Sequence, residues 1–542
     1  MELSYKGLQN RAVWEEAGVK LPSYSVAEMA EVTRQAPIWV HFGSGNIFRG
    51  FIAQLQQRLL NMGLSDKGII AVDTFDFDII DKIYTAFDNL TLNVTLNADA
   101  TVDCEVMAAV AEALKADAHQ PNQIARLKQI FAAPGLQLIS FTITEKGYAL
   151  HRPDGSLIPA AAADMEKGPS GCVHAMGIVA ELLYHRYKTC AAPLAVVSMD
   201  NCSHNGEKLL SSIREVVNAW LEKGLVEKDF LDYLTESGKV SFPWSMIDKI
   251  TPRPSEAVQK RLEEMGITGM EPIITSKHTY IAPFVNAEKP QYLVIEDNFP
   301  NGRPPLEKVG VYFGSREVVN KSEAMKVTTC LNPLHTAMSV YGCMLGYQLI
   351  CDEMRDADIV ALIKTLGYTE GLPVVEDPGI LSPKAFIDEV VQQRLPNPFL
   401  PDTPQRIVTD TSQKIPIRFG ETMKKYHAAG KNLCELTAIP LALAGWLRYL
   451  LAVDDEGKPM DLSPDPLLEE LRGALAGARV GDRSSCGDKL RPILSNPAIF
   501  GLDLVEAGLA EKIEELFCQE LEGPGAVRRT LHTQLFGEDK EA

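Results

Sequence analysis

The sequence lacks the signals of several large classes of protein. Its ten cysteines include no Cys-x-x-Cys pair and its ten histidines no His-Glu-x-x-His segment, which disfavours a disulfide framework and the common zinc sites. The most apolar stretch, residues 439–453, contains Pro440 and Arg448 and is shorter than the roughly 20 apolar residues of a membrane-spanning helix. No basic segment followed by an apolar run opens the sequence. These absences predict a cytoplasmic protein with reduced cysteines, no metal and no membrane partner.

Positive charge is also scarce. Lys and Arg number 53 against 72 Asp and Glu, which gives a formal net charge of -19 in an otherwise ordinary globular composition. A surface this acidic repels polyphosphate chains, so nucleic acid is not an expected partner. A small anionic substrate stays compatible with this charge, because a local cationic cleft dominates at short range. The composition leaves the oligomeric state open.

The pattern of predicted strands and helices changes near residue 300. Up to about residue 300, short apolar runs alternate with helical patterns, which predicts parallel strands and helical crossovers in a doubly wound, Rossmann-like α/β sheet. We expect strands at residues 38–42, 68–73, 136–143, 194–198 and 292–295, and helices at 51–61, 123–132, 173–187 and 207–223. Later helical patterns cover residues 337–350, 356–366, 383–394, 435–453, 466–476 and 502–516. The predicted domains are a nucleotide-binding domain, residues 1–304, and a mainly α-helical domain, residues 305–542.

Two glycines follow the first predicted strand and precede a helix, where a Rossmann fold holds a dinucleotide pyrophosphate. Gly43 suits the tight turn, Gly45 suits a close approach of the backbone to phosphates, and Asn46 is a further candidate contact. The next strand ends at Asp73, whose carboxylate suits the ribose hydroxyls and repels the extra phosphate of NADP, with Asp76 as an alternative. The spacing Gly-x-Gly-x-x-x-x-Gly differs from the usual Gly-x-Gly-x-x-Gly, so a turn without nucleotide is the competing interpretation. NAD is the predicted cofactor.

Five further segments concentrate polar and charged residues. They are residues 142–148 (TITEKGY), 198–206 (SMDNCSHNG), 242–252 (FPWSMIDKITP), 326–335 (KVTTCLNPLH) and 406–418 (RIVTDTSQKIPIR). With the glycine loop, they resemble the long-chain mannitol dehydrogenase family of polyol and sugar-acid oxidoreductases, from about residue 36 to the late helices. The resemblance implies hydride transfer between a secondary alcohol and NAD.

The resemblance also implies catalytic roles for individual residues. Lys326 matches the lysine that acts as the base in zinc-independent members, a role that requires a lowered pKa near neutral pH. Asn201 and Asn332 would hydrogen-bond the reacting oxygen, and His335 would position the substrate. Asn205 competes with Asn201 for the oxygen contact, because both flank the same strand end. The reacting oxygen is then expected between the two domains.

Four more residues are expected to contact or organise the substrate. Arg406 and Lys414 match the C-terminal substrate motif of the family and suit hydroxyls or a carboxylate. Glu145 is either a proton conduit or an ordinary helix cap or salt bridge. Asp248 lies in the segment nearest to the family signature and is expected to support the lysine.

One feature departs from the family pattern. Lys326 and Asn332 are six positions apart, whereas the family usually separates them by five. The extra residue fits a break before a helix with Asn332 as N-cap and Pro333 as first residue, or a π-bulge. Otherwise it would turn Lys326 away from the site by roughly 100°.

The predicted activity is the NAD-dependent, metal-independent interconversion of a linear sugar acid or polyol with its keto form. A sugar acid such as mannonate is favoured, because Arg406, Lys414 and Arg418 gather positive charge suited to a carboxylate. Oxidation of mannitol, or reduction of a ketouronate such as tagaturonate, is the alternative within the family. A non-catalytic NAD-binding sensor is the alternative from a different class, since fold alone does not establish catalysis.

Overall fold

A computed structural model describes residues 1–537 of the chain. The chain divides into two compact units, the first containing residues 1–97 and 101–320, the second containing residues 98–100 and the chain from Lys321 onward. Each unit is described by itself.

The strands in chain order are β1 Val19–Lys20, β2 Trp39–Phe42, β3 Ile69–Asp73, β4 Thr91–Leu96, β5 Val102–Met107, β6 Val110–Lys115, β7 Leu138–Phe141, β8 Leu194–Ser198, β9 Val240–Ser241, β10 Ser245–Asp248, β11 Ile273–Ile274, β12 Tyr280–Ile281, β13 Phe284–Glu288, β14 Tyr292–Glu296 and β15 Tyr312–Gly314. The α-helices up to the middle of the chain are α1 Arg11–Glu16, α2 Val26–Gln35, α3 Ala53–Asn61, α4 Phe77–Ile79, α5 Pro121–Ala132, α6 Thr144–Tyr148, α7 Pro159–Lys167, α8 Ala175–Thr189, α9 Asn205–Glu222, α10 Lys228–Thr235, α11 Glu256–Glu264 and α12 Arg316–Met325.

The later helices are α13 Asn332–Met344, α14 Ile350–Glu353, α15 Ala357–Lys364, α16 Pro383–Glu389, α17 Pro404–Ile407, α18 Thr411–Ile415, α19 Glu421–Ala428, α20 Ala438–Tyr449, α21 Leu468–Ala474, α22 Arg491–Leu494, α23 Pro497–Phe500, α24 Ala510–Glu520 and α25 Ala526–Phe536. Wider π-helical turns occur at Phe48–Ile52, Ile80–Tyr84, Lys326–Cys330, Thr365–Gly371, Val390–Arg394 and Pro416–Gly420.

A six-stranded parallel sheet forms the centre of the first unit. Its spatial order is β6-β3-β2-β7-β8-β9, which is the 3-2-1-4-5-6 order of a Rossmann fold. Both faces are covered: Val40 and Phe42 of β2 enter one apolar cluster, and Trp39 enters the other. The predicted α/β doubly wound fold is confirmed, and four of the five expected strands belong to this sheet.

The fifth expected strand lies elsewhere. Strand β14 pairs antiparallel with β10 and parallel with β15 in a separate three-stranded sheet. An apolar run identifies a buried strand but not its partners, which explains the error. A further sheet, β1-β5-β4-β13, was not predicted from the sequence.

The second unit is mainly α-helical, as expected. Every residue of α20 is buried, so the most apolar stretch of the chain forms an interior helix. The three guanidinium nitrogens of the buried Arg448 side chain in α20 donate to the carbonyl oxygens of Glu520, Val453 and Asp454. Within residues 1–537, no helix has both the length and the apolar character needed to cross a membrane.

The prediction of a helix at residues 502–516 was partly wrong, because the helix there, α24, begins only at Ala510. Asp503 accepts hydrogen bonds from the amides of Val505 and Glu506, and Gly508 has a φ of +75°. These features favour a turn over a helix in residues 502–509.

Candidate active site

The glycine loop follows β2 directly. Gly43 has a φ of +98°, and a methyl group on it would lie 2.1 Å from the carbonyl oxygen of Thr142, so only glycine fits. A methyl group on Gly45 would meet no protein atom within 4 Å. The loop therefore packs closely against Thr142 at Gly43 and leaves free space beside Gly45. A phosphate-binding turn needs such space.

Asn46 begins the helical segment after the loop, and its side chain accepts a hydrogen bond from a buried arginine. The Arg49 guanidinium, 1% exposed, donates to Asn46 Oδ1 at 2.8 Å and to the carbonyl oxygen of Ala282 at 2.8 Å. Burial lowers the pKa of Arg49 to about 10, so the group stays charged at neutral pH. With its oxygen fixed by Arg49, Asn46 keeps its amide N–H groups for other partners.

Asp73, at the end of β3, is bound to the protein through both carboxylate oxygens. Oδ2 accepts from the Ser44 hydroxyl at 2.6 Å and from the Ser44 amide at 3.4 Å. Oδ1 accepts from the amides of Phe75 and Asp76, both at 2.8 Å. Since an ionised carboxylate offers about four acceptor positions, these contacts fill Asp73 and join the glycine loop to the loop after β3.

These loops line a cleft of about 650 Å³ at the carboxyl ends of the central strands. Such an edge is the usual ligand site of an open α/β sheet. The lining is mostly apolar and consists of Gly43, Ser44, Gly45, Asp73, Thr74, Phe75, Asp76, Ile79, Thr142, Ile143, Thr144, Lys146, Gly147, Ala160, Val173, His174, Ala175 and Thr279.

Asp200 anchors the segment that follows β7. Its carboxylate accepts from the amides of Ile143 and Thr144, both at 2.9 Å, and from the Tyr148 hydroxyl at 2.6 Å. Thr144 has a φ of +63°, a conformation that these bonds hold in place. Burial raises the pKa of Asp200 and opposes its hydrogen bonds. Sequence reasoning missed this residue, although it precedes Asn201 in a segment already singled out.

Asn201 and Asn205 have different environments. Asn205 is 1% exposed; its amide nitrogen donates to the carbonyl oxygens of Asp200 and Ser245, and its oxygen accepts from the Ser245 amide. Its side chain ties the end of β8 to the start of β10. Asn201 is exposed at the same strand end, so the geometry favours Asn201 over Asn205 for a ligand contact.

The two acids expected near the substrate also differ. Asp248 is 7% exposed and ends strand β10. Glu145 is exposed and pairs with Lys208, and it does not line the cleft although its neighbours Thr144 and Lys146 do. For Glu145 the structure favours the salt-bridge interpretation.

In the second unit, the segment between Lys326 and Asn332 contains the extra residue. Residues 326–330 form a π-helical turn in which the Leu331 amide donates to the Lys326 carbonyl oxygen at 3.1 Å. Helix α13 then begins at Asn332 after a break at Leu331, whose φ and ψ are -131° and -63°. The expectation of Asn332 as N-cap was wrong by one residue, because Leu331 takes that position. The π turn takes up the extra residue, and Lys326 is 4% exposed.

Three arginines and one acid influence His335. Burial lowers the pKa of His335 to about 4, Asp402 opposes that shift, and Arg394, Arg418 and Arg406 add to it. The imidazole is therefore neutral at pH 7 in a cationic environment. Arg394 and Asp402 were not predicted from the sequence, since isolated Arg and Asp carry no motif.

Arg418 is bound to the start of α13. Its guanidinium donates to the Asn332 carbonyl oxygen at 3.5 Å and to the Thr336 hydroxyl. Burial lowers the pKa of Arg418 to about 10, which leaves it charged at neutral pH. The Arg418 side chain thus contacts the helix that carries Asn332 and His335.

Arg406 and Lys414 occupy successive short helices, α17 and α18. Arg406 is exposed and pairs with Asp402. The Lys414 ammonium donates to the carbonyl oxygens of Ile407, at 3.1 Å, and Thr409. Burial and then the neighbouring Arg418 lower the pKa of Lys414. Together with Arg394 and Arg418 they form what we term the cationic cluster.

Residues 37–308 match the family described as the mannitol dehydrogenase Rossmann domain, and residues 318–519 match the mannitol dehydrogenase C-terminal domain. The chain belongs to the mannitol dehydrogenase family.

Relatives of known name span the whole chain. D-mannonate oxidoreductase of Thermotoga maritima is 52% identical over 542 residues, which cover 99% of this chain and 100% of that protein. A solved structure of Pseudomonas fluorescens mannitol 2-dehydrogenase with NAD and D-mannitol is 25% identical, with a TM-score of 0.66 and 99% of both chains covered. A substrate-free D-sorbitol dehydrogenase shares the fold, with a TM-score of 0.76, 24% identity and coverage of 96% of this chain and 98% of the other.

The structure places the residues expected of a mannitol dehydrogenase in two groups. The first unit brings together Gly43, Gly45, Asn46 and Asp73, and the second brings together Asn332, His335, Arg406 and Lys414. Nowhere in residues 1–537 do three or more His, Cys, Asp or Glu side chains gather as metal ligands would.

Proposed function

We propose that this member of the mannitol dehydrogenase family is an NAD-dependent D-mannonate oxidoreductase, which interconverts mannonate and its keto form, fructuronate. The cationic cluster carries this proposal, because four cations gather in a chain whose net charge is -19 and suit a substrate with a carboxylate. The Thermotoga maritima relative, named D-mannonate oxidoreductase, supports the same substrate.

The cleft of the first unit fits a dinucleotide. Gly43 and Gly45 leave room for a pyrophosphate, and Asn46, held by Arg49, supplies amide donors beside it. NAD held there would supply the hydride acceptor for oxidation of the alcohol, and NADH the hydride donor for the reverse reaction. The residues of the chain bind and orient the cofactor and move the hydroxyl proton.

Lys326 exchanges that proton. Oxidation of a secondary alcohol breaks the O–H bond as the C–H bond is lost, so a neutral amine must take up the proton. The burial of the Lys326 side chain, which is 4% exposed, supports this role. Asp248, also buried, remains a candidate for a supporting role.

Asn201 and Asn332 hold the reacting oxygen, and His335 orients a substrate hydroxyl. Amide N–H groups stabilise the negative charge that develops on oxygen as the proton leaves. His335 is suited to a positioning role, because a pKa of about 4 keeps the ring neutral at pH 7. Glu145, paired with Lys208 at the surface, takes no part in this mechanism.

The substrate carboxylate is bound by the cationic cluster, with Arg418 as the main contact. Its guanidinium is fixed by the Asn332 carbonyl and Thr336, so little side-chain entropy is lost on binding. Arg406, paired with Asp402, and Lys414 bind substrate hydroxyls.

Mannitol oxidation is the alternative, favoured by the pairing of Arg406 with Asp402, which reduces the charge available to an anion. An assay of ketose reduction distinguishes the mannonate and mannitol activities. The protein is mixed with NADH and, in turn, with fructuronate, fructose and tagaturonate, and the nicotinamide absorbance is followed. We expect kcat/KM for fructuronate to exceed that for fructose by about 100-fold, the size of one strong charged contact. Faster turnover of fructose would contradict the proposal. NADH binding without turnover of any ketose would favour the sensor instead.

A further inference from the structure

A loop in the second unit lies against helix α24. It covers residues 475–490, between α21 and α22. The Gly481 amide donates to the carbonyl oxygen of Leu521, directly after the end of α24, at 2.7 Å. Arg483 pairs with Glu522 at 2.7 Å, but its side chain is 47% exposed, so water and salt weaken this ion pair. The ion pair therefore places the loop beside the helix and contributes little to holding it there.

Two cysteines meet between this loop and α24. Cys486 belongs to the loop, and Cys518 belongs to the last turn of the helix. Both are free thiols, and their side chains are hydrogen-bonded to each other. A disulfide joins two sulfur atoms at about 2.05 Å, so thiols that are already in contact need only a small movement to be joined. The pair is therefore placed for a disulfide between the loop and the helix.

The two thiols differ in their access to solvent. Cys486 is 3% exposed, whereas Cys518 is partly exposed. Burial raises the pKa of Cys486 to about 12, and its hydrogen bond to Cys518 acts in the same direction. Because the thiolate is the form that reacts with oxidants, Cys486 by itself stays protonated and inert near neutral pH. Cys518 is the thiol that an oxidant from the solvent reaches first.

We infer that Cys486 and Cys518 form a reversible redox latch, in which hydrogen peroxide joins the two thiols in a disulfide that attaches the loop to α24. Helix α24 is itself bonded to α13, because Glu520 accepts a hydrogen bond from the Tyr341 hydroxyl at 2.8 Å. The latch therefore secures a helix in contact with the one that carries two of the proposed active-site residues. The inference is independent of the substrate and the cofactor in the proposed function.

The reaction consumes one peroxide for two thiols. The Cys518 sulfur attacks a peroxide oxygen, so an S–O bond forms and the O–O bond breaks, which gives a sulfenic acid and one water. The Cys486 sulfur then attacks the Cys518 sulfur, so the S–S bond forms and the S–O bond breaks. The departing hydroxide takes the Cys486 proton and leaves as a second water. Both sulfurs are oxidised and the peroxide is reduced. A dithiol such as dithiothreitol restores both thiols and is itself oxidised.

The test treats the native full-length protein with hydrogen peroxide, alkylates the remaining thiols and maps disulfides by mass spectrometry of unreduced peptides. We expect a cross-linked peptide pair that contains Cys486 and Cys518, and we expect dithiothreitol to remove it. Amide hydrogen exchange in residues 481–490 should slow about tenfold in the oxidised protein, because a loop closed by a covalent bond opens less often. No sugar or nucleotide is present, so an error about the activity does not change these results.

Three variants test the order of the two steps. Cys486→Ser should leave Cys518 as a sulfenic acid that dimedone traps, and Cys518→Ser should leave Cys486 as a free thiol after the same treatment. Cys434→Ser, the matched control, removes an exposed cysteine outside the pair and should leave the yield of the cross-link unchanged.

Two results would overturn the inference. One is a peroxide-treated wild type without the Cys486–Cys518 cross-link, whether Cys518 is unreacted or oxidised beyond the sulfenic acid. The other is a cross-linked protein in which hydrogen exchange of the loop is as fast as in the reduced protein, because the disulfide would then not hold the loop on α24.

Discussion

The amide of Leu331 donates a hydrogen bond to the carbonyl oxygen of Lys326, five residues earlier, at 3.1 Å. An α-helix would close such a bond after four residues, so this turn contains one residue more than an α-helical turn. The extra residue between Lys326 and Asn332 is taken up before α13 begins, and the helix carrying Asn332 and His335 starts in a regular α-conformation.

The two loop glycines should respond differently to a methyl group. Gly43→Ala should destabilise the fold and abolish NADH binding, because the methyl group would lie 2.1 Å from the Thr142 carbonyl oxygen. Gly45→Ala should leave the melting temperature unchanged and weaken NADH binding at least tenfold, because the methyl group enters only ligand space. Calorimetric melting and NADH titration measure both. Equal NADH affinity in Gly45→Ala and the wild type would contradict the cofactor site.

The asparagines at the end of β8 should separate stability from catalysis. Asn205→Ala should lower the free energy of unfolding by about 2–4 kcal/mol, because it leaves several buried polar groups without partners. Asn201→Ala should change that free energy little and lower kcat for mannonate oxidation at least tenfold. Urea denaturation and steady-state kinetics provide the two readouts. The assignment of stability to Asn205 and of catalysis to Asn201 would be contradicted if Asn205→Ala were stable with normal kcat and Asn201→Ala were unstable.

Arg418 should determine the preference for an acid. Arg418→Met keeps most of the side-chain volume and removes the charge, so kcat/KM for fructuronate should fall about 10- to 100-fold while that for fructose changes little. Arg355→Met is the control, since Arg355 is 78% exposed and pairs with Asp352 at the surface. A parallel loss for both sugars in Arg418→Met would mean that Arg418 supports α13 and does not bind the carboxylate.

Glu520 makes stability depend on pH. Its side chain is fully buried and accepts a hydrogen bond from the Tyr341 hydroxyl at 2.8 Å, and burial raises its pKa to about 8. The contribution of Glu520 to stability is fully present below about pH 4.5, its pKa in the unfolded chain, and is lost as pH rises through 8. Glu520→Gln, which cannot ionise, should therefore gain stability relative to the wild type between pH 5 and 8.5. Urea denaturation at several pH values tests this, and a difference independent of pH would contradict it.

Much of the fold follows from local pattern. The strands that end at Phe42, Asp73, Phe141 and Ser198 are apolar runs bounded by turns, and parallel pairing follows from the helices between them. Strands β4 and β5 alternate polar and apolar residues and pair with each other as a local hairpin that was overlooked, whereas their other partners, β13 and β1, are distant in sequence. Long-range pairing has no local signal, so the second sheet could not be derived in this way.

The candidate site was predictable only where a motif marked it. Gly43, Asp73, Lys326 and Asn332 stand in recognisable segments, and the structure shows how the chain around each is held. Other features of the candidate site could be identified only from the three-dimensional structure. Arg394 near His335 and the saturation of Asp73 by local amides depend on contacts that no spacing rule contains.

The central claim is that Lys326 exchanges the substrate proton, and the pH profile of Lys326→Ala tests it most directly. His335, with a pKa of about 4, does not titrate between pH 5.5 and 9, so it does not contribute to the profile in that range. We expect kcat for mannonate oxidation to fall about 10²- to 10⁴-fold in Lys326→Ala, with NADH binding unchanged and the residual rate rising with hydroxide concentration. Lys364→Ala, at an exposed position in α15, is the control and should behave as the wild type. Turnover by Lys326→Ala within threefold of the wild type at every pH would contradict the account.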